Sequence, residues 1–260
     1  MSLFQTKTRR VNMLHKETVE VGTLGLIKRL MNDEHLKEFT LVGGTALSLQ
    51  VGHRISIDID LFNKRDFDSE ALKEYLIREY KAENIRCYNN AVLGFIDGIK
   101  IDMIAHRVPD IKAIIIEEGI RMASLEDIGA MKLNAITRNG TRFKDFVDMY
   151  VLLSYKPLEV YGAAFENKYF AEELSRAVTY LSLKYHKEII PATIQFIGKE
   201  LTLSLLAERF EQAVLNPSQI FGKYVTQSQE LKQHISKEQK LDKELKQYRQ
   251  KLNRGRGYRL

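Results

Sequence analysis

The sequence predicts a mixed α/β (α+β) fold with a mixed β-sheet, followed by a helical C-terminal region, and three observations carry that expectation. Ile55 to Phe62 alternates, with Ile55, Ile57, Ile59 and Leu61 on one side and Ser56, Asp58 and Asp60 on the other, which is the period of a half-buried strand. Short β-prone segments then follow in close order at Asn84 to Tyr88, Ala91 to Ile96 and Lys100 to Ala105. From Leu158 onward the composition is helical, with breaks only near Pro191 and Asn216-Pro217. The chain is therefore expected to divide into an α/β domain over 1–157, a helical domain over 158–225 and a basic helical tail over 226–260.

Taken in order, Val21 to Met31 reads as a helix, because Leu24, Ile27, Leu30 and Met31 recur at helical spacing. Glu38 to Val42 is short and β-prone and runs straight into Gly43-Gly44-Thr45, after which Ala46 to Val51 suits a short helix. Ser69 to Tyr80 is a further helix with Asp68 or Ser69 as its cap. Asp97-Gly98 between two strand candidates is a hairpin signal. Ser124-Leu125-Glu126-Asp127 opens a helix with capping-box spacing, Asp standing in for the usual Glu. That helix runs to about Arg138 and breaks at Asn139-Gly140, and another covers Arg142 to Ser154 until Pro157 stops it.

Composition narrows the class. With 260 residues, 44% of them hydrophobic and 28% charged, the chain can bury a sizeable core without disulfides or a structural metal. Its single cysteine, Cys87, fits a reducing compartment and reads as a strand residue rather than a nucleophile. No apolar run approaches a membrane span, since Ala113 to Ile116 ends at Glu117-Glu118. Met1 to Leu14 carries Lys7, Arg9 and Arg10 with no apolar segment behind them, so a signal peptide is not expected and a cytoplasmic location is. The formal net charge is +6, and the excess is concentrated from Gln227 to Leu260, where Lys237, Lys240, Lys243, Lys246, Arg249, Lys251 and Arg254 flank a stripe of Leu241, Leu245, Tyr248 and Leu252. Such an arm is either a solvated helix or a means of gathering a phosphate-rich partner.

Four constellations could carry chemistry. Gly43-Gly44-Thr45 lets a backbone approach a phosphate closely, and Asp58 and Asp60 share one strand face. Two carboxylates so placed either face solvent or jointly hold a hard cation such as Mg²⁺. Lys100 and Asp102 share a face of a later strand, and Asp102 would complete a two-metal site with the first pair. Lys132 stands in the apolar stripe of Leu125, Ile128 and Ile136, where it must snorkel out or meet an anion. Finally, Asp145 and Asp148 lie opposite Phe143, Phe146, Val147 and Tyr150, which reads as a wet acidic face unless something covers it. Arg138 and Arg142 flank the preceding turn and could reach phosphates or pair with these aspartates.

The stretch from Leu41 to Phe62, with Gly43-Gly44-Thr45, Arg54, Ser56 and Asp58-Ile59-Asp60, resembles the signature of the AbiEii/AbiGii toxin family of nucleotidyltransferases. Later motifs of that family have counterparts in the same order at Lys100 to Asp102, Ser124 through Lys132 to Arg138, and Asp145 to Asp148, so the resemblance spans roughly Phe39 to Leu153. It implies a DNA-polymerase-β-like core and the role of toxin in a toxin–antitoxin or phage-defence pair, with a cognate antitoxin protein as partner. By the same resemblance Asp58, Asp60 and Asp102 would bind Mg²⁺ or Mn²⁺, while Gly43, Gly44, Thr45, Arg54, Lys132 and Arg138 would bind the nucleoside triphosphate. Asp148 would be a further active-site residue of unassigned role, and Thr45 stands where many such enzymes have serine. The expected acceptor is the 3′ end of a tRNA. A protein or small-molecule acceptor, or a nucleotide-binding regulator without turnover, are the alternatives, and the intact trio of aspartates speaks against the last.

Overall fold

A computed structural model describes residues 14–169, 173–184, 189–190 and 192–222. The expected basic tail at 226–260 lies outside the described residues. Helix α1 (Val21–Asn32) leads into β1 (Thr40–Leu41), α2 (Gly43–Val51), β2 (Ile59–Asn63) and α3 (Ser69–Tyr80). Then come β3 (Glu83–Tyr88), β4 (Ala91–Ile96), β5 (Ile99–Ala105), β6 (Ile115–Glu117) and β7 (Ile120–Met122). Helices α4 (Leu125–Arg138), α5 (Phe143–Leu152), α6 (Leu158–Tyr169), α7 (Glu173–Lys184) and α8 (Leu203–Leu215) follow. The strands form one seven-stranded sheet in the order β3-β4-β5-β2-β1-β7-β6. No helix among the described residues is long and apolar enough to cross a membrane.

Strand β2 is central. It pairs antiparallel with β1 and parallel with β5, and the second pairing sets Asp60 directly opposite Asp102. Ile59 and Leu61 are buried beneath the sheet, while Asp60 and Phe62 are partly open on its other face. Local chemistry fixes the flanking elements. The Asp68 carboxylate accepts the Ala71 amide and starts α3, and Ser124 Oγ accepts the Asp127 amide and starts α4. Asp97 and Gly98 both take positive φ, 51° and 75°, as a two-residue hairpin of the right twist requires. Asp127, read from the sequence as half of a capping box, accepts the Ser124 hydroxyl at 2.7 Å and does more with its carboxylate besides. It accepts the amides of Ile111 and Lys112 and the Lys168 ammonium, tying the loop after β5 to α4 and α6.

The structure departs from the sequence reading in four places. Regular pairing in the alternating segment begins at Ile59, so Asp58 precedes the strand, and Ile57 is 53% exposed. The cause is Arg54, whose buried side chain turns the connector away from the sheet before β2 starts. Helix α2 begins at Gly43 rather than Ala46, so the paired glycines are its first turn. The β6–β7 hairpin, turning at Glu118-Gly119, was not signalled by alternation because each strand has only three residues. Asp145 and Asp148 are 4% and 0% exposed, so α5 is buried on the side that the sequence assigns to solvent.

Helices α6 and α8 pack on α4 and α5, and α4 meets α6 at Gly129. A Cβ there would lie 2.1 Å from Cδ1 of Tyr161, a fully buried ring whose hydroxyl donates to the Leu152 carbonyl at 2.8 Å. Gly129→Ala should therefore lose stability although alanine is the better helix former by about 1 kcal/mol. Overpacking at a ring that cannot swing aside outweighs that gain, for a net loss of about 1–2 kcal/mol in urea unfolding. A midpoint at or above that of the parent protein would contradict the packing described.

Candidate active site

A cavity of about 710 Å³ opens over β2 and β5, and Asp58, Asp60 and Asp102 all line it. The sheet explains the assembly. Parallel pairing of β2 and β5 brings Asp60 and Asp102 side by side on one face, and the connector entering β2 brings Asp58 to the same place. Burial, and then the like charge of Asp102, push the Asp60 carboxyl above its ordinary value, with the Lys132 charge opposing. Asp102 Oδ1 is buried with no hydrogen-bond partner, while its Oδ2 accepts from the Lys100 ammonium at 2.5 Å. Among the described residues no three His, Cys, Asp or Glu side chains are drawn together closely enough to cage a cation unaided. A cation shared with substrate phosphates needs only part of its coordination shell from protein. Two adjacent carboxylates, one repelled by its neighbour and the other with an unpartnered oxygen, suit that partial role.

Beside the carboxylates lies the start of α2. Its N-cap residue, Val42, offers no side chain to the first-turn amides. Those amides have no partner within the helix and are an anion site by position and dipole. Glycine is required on both counts of space and conformation. Gly43 has φ of 68°, and a Cβ there would come within 2.4 Å of Asp60 Oδ2. At Gly44 a Cβ would meet Arg54 Nη2 at 2.3 Å. Thr45 turns inward instead, its hydroxyl within hydrogen-bond reach of the Asp58 carbonyl and of Ser56 Oγ at 2.9 Å. It positions Asp58 rather than facing the cavity.

Under the cavity sits a buried charge network centred on Asp148. Arg54 reaches it with two parallel hydrogen bonds, Nε to Oδ1 at 2.7 Å and Nη2 to Oδ2 at 3.0 Å. The Lys132 ammonium lies 2.7 Å from Asp145 Oδ1 and 2.7 Å from Asp148 Oδ2. His53 Nε2 is 2.8 Å from Asp148 Oδ1. Burial lowers the His53 pKa despite that carboxylate, so the ring is neutral near pH 7. A neutral ring donates to Asp148 through Nε2, which leaves Nδ1 as the buried atom without a partner. Burial opposes the charge on Asp148, but Arg54, Lys132 and the His53 hydrogen bond outweigh it and hold the carboxyl well below the ordinary range. Burial likewise opposes the Lys132 charge, and Asp148 and Asp145 more than restore it. The anions that keep a lysine in this apolar stripe are thus the protein's own.

Of the residues singled out from sequence, Asp58, Asp60, Asp102, Gly43, Gly44, Arg54 and Lys132 line the one cavity. Thr45 and Asp148 are not among its lining residues, being 1% and 0% exposed behind its wall. Arg138 is exposed and donates to Asn134 Oδ1 at 3.1 Å, away from the cavity lining. Sequence reasoning passed over His53, although it adjoins Arg54 in the matched signature, because a lone histidine carries no spacing signal. It also missed His106, stacked on Phe62 with centroids 4.8 Å apart, and the segment around Ile194, which lies far along the chain.

Two substitutions test the network. Asp148→Asn leaves Arg54 and Lys132 under-compensated in the interior and should cost about 3–5 kcal/mol at neutral pH. Because the folded-state pKa is depressed, the stabilisation is complete above the ordinary carboxylate range and is lost as pH falls from about 4 toward the depressed value. The variant should therefore show a flatter decline in acid than the parent, and a parallel decline would contradict the assignment. Lys132→Met, which suits an apolar stripe, should nevertheless melt lower, since it leaves Asp145 and Asp148 with one cation fewer.

The chain is similar to several known proteins. An uncharacterised protein of Aquifex aeolicus (strain VF5) is 32% identical over 125 residues, a match covering 45% of this chain and 58% of that protein. The chain thus spans little more than half the length of that relative. The crystal structure of JHP933 from Helicobacter pylori superposes with a TM-score of 0.44 at 16% identity, covering 85% of this chain and 99% of the other. A Megavirus polyadenylate synthase gives 0.37 at 17% identity, covering 50% of this chain and 30% of the other. The nucleotidyl transferase AbiEii toxin family, of type IV toxin–antitoxin systems, matches residues 25–219, and on that extent the chain belongs to this family of nucleotidyltransferases.

Proposed function

We propose that the protein is a toxin that transfers a nucleotidyl group from a nucleoside triphosphate to the 3′ end of a tRNA in the cytoplasm, within a phage-defence system and under control of an antitoxin protein. One observation carries the site assignment: Asp60 and Asp102 are register partners on parallel strands, in the same cavity as the uncapped first turn of α2. Carboxylates and free amides side by side suit a substrate that is itself a polyphosphate anion accompanied by cations.

On this reading Asp58, Asp60 and Asp102 would hold Mg²⁺ or Mn²⁺, which when bound supplies charge neutralisation at the phosphates. The amides of Gly43, Gly44 and Thr45 hold phosphate oxygens, and Gly43 and Gly44 permit the approach. Lys132 lines the cavity and adds positive charge on the side of α4. Arg54 and Asp148 act from behind, fixing the connector that carries Asp58. Asp102 Oδ1 receives the proton of the acceptor hydroxyl as its oxygen attacks the α-phosphorus. The bond to the β-phosphate oxygen breaks and pyrophosphate leaves. Alignment and charge, with no covalent enzyme intermediate, carry such a reaction. The net charge of +6 and the cations from Gln227 onward suit an RNA acceptor.

Incubating the purified protein with each labelled nucleoside triphosphate, Mg²⁺ and total RNA should label the tRNA fraction. Asp58→Asn and Asp60→Asn should each reduce labelling by at least about a thousandfold while melting temperature stays within a few degrees, since charge is removed and volume is not. Near-parental labelling by either variant would end the assignment of these residues, and label appearing only on protein or small molecules would move the acceptor.

A further inference from the structure

One wall of the cavity comes from beyond α7. Ile190 N donates to the Thr141 carbonyl at 2.8 Å beside the start of α5. Further along, the same segment runs antiparallel to the connector before β2, with Ile55 N donating to the Gln195 carbonyl at 2.8 Å and Ile197 N to the His53 carbonyl at 2.9 Å. These backbone bonds fix a strap across the mouth, and Thr193, Ile194 and Gln195 line the cavity from it. The Thr193 hydroxyl and the Gln195 amide have no hydrogen bond to any described residue, and both side chains are exposed. Between them Ile194 is half-buried, and Ile57, which lines the same cavity from the connector, is 53% exposed, so this side of the site offers apolar surface as well as polar edges.

We propose that this strap is the base-reading wall of the site, with Ile194 and Ile57 offering apolar surface to the nucleobase of the donor triphosphate and Gln195 and Thr193 hydrogen-bonding its edge. The inference rests on the donor being a nucleoside triphosphate. Position selects the donor over the acceptor. The α2 first turn, where phosphates bind, lies on the β1 side of β2, and Gly44 abuts Arg54, the residue whose backbone the strap pairs with. The β5 side of Asp60, where Asp102 stands, is left to the incoming hydroxyl. Side chains on a segment anchored by its backbone, with unused donors and acceptors, discriminate among bases by matching or opposing their edges. They leave the phosphate interactions, common to all four nucleotides, untouched.

The test is isothermal titration of ATP, GTP, CTP and UTP, each with Mg²⁺, into the full-length parent, Gln195→Ala and Thr193→Val. Neither side chain takes part in the strap's backbone pairing, so both variants should melt as the parent does. The parent's preferred nucleotide should bind about five- to tenfold more weakly to Gln195→Ala, while the other three change by less than about twofold. An equal loss for all four, or no loss, would overturn the inference. Gln195→Met, which keeps the length and removes the hydrogen-bonding groups without adding charge, gives the same reading should the alanine variant not fold. A parent that binds none of the four removes the donor assignment and this inference together, whereas a parent that binds all four alike removes only the inference.

Discussion

Asp148 organises the site without entering it. A carboxylate with no solvent contact is tolerable only when its charge is met on every side, and here three side chains from two elements meet it. Arg54 and His53 come from the connector between α2 and β2, and Lys132 comes from α4. Because Arg54 must point down into this cluster, the connector is drawn over α5 and delivers Asp58 beside Asp60. The close approach of Arg54 to Gly44 then fixes the first turn of α2. Removing solvent strengthens each of these interactions and makes each unpaired member costly. The cluster therefore acts as one unit, and the carboxylates above inherit its geometry.

Above that floor three aspartates face one cavity, and the charges of Lys132 and Lys100 oppose the upward push on the Asp60 carboxyl. The two layers divide the work. The lower one is neutralised internally and holds positions, while the upper one sets three carboxylates close to amides that favour anions. Cationic and anionic parts of one ligand can thus be received within a single cavity.

Much of this was legible in the sequence, for identifiable reasons. Period-two alternation marked β2, Asp97-Gly98 marked the β4–β5 hairpin, and Ser124 marked the start of α4, since each signal is local. The three aspartates and the glycine pair were singled out because several motifs resemble one family signature in the same order, and the fold brings them to one cavity. What remained hidden depends on contacts distant in sequence. Nothing near Asp148 tells that Arg54 and His53, more than ninety residues away, bury it. Helical-wheel reasoning therefore assigned it to solvent, although the one-turn spacing to Leu152 hinted at cover. Lys132 was rightly suspected of meeting an anion, but that partner was sought in a substrate when α5 supplied it. The strap was invisible for a similar reason, since helical composition continues through residues whose backbone pairs with the connector.

The facing of Asp60 and Asp102 across a parallel pair makes chain length itself a functional quantity. Side chains alternate with every residue, so a single insertion or deletion that shifted β5 against β2 would exchange Asp102 for Ile101 or Met103 at the site. The two-residue turn at Asp97-Gly98 fixes how β5 folds back on β4, and the burial of Ile101 and Met103 beside Ile59 and Leu61 decides which face of β5 meets the site. Lengthening the loop between Ala105 and Ile115 would leave that register alone but must spare the amides of Ile111 and Lys112 that Asp127 accepts, whereas a one-residue change inside β5 ahead of Asp102 would exchange its two faces.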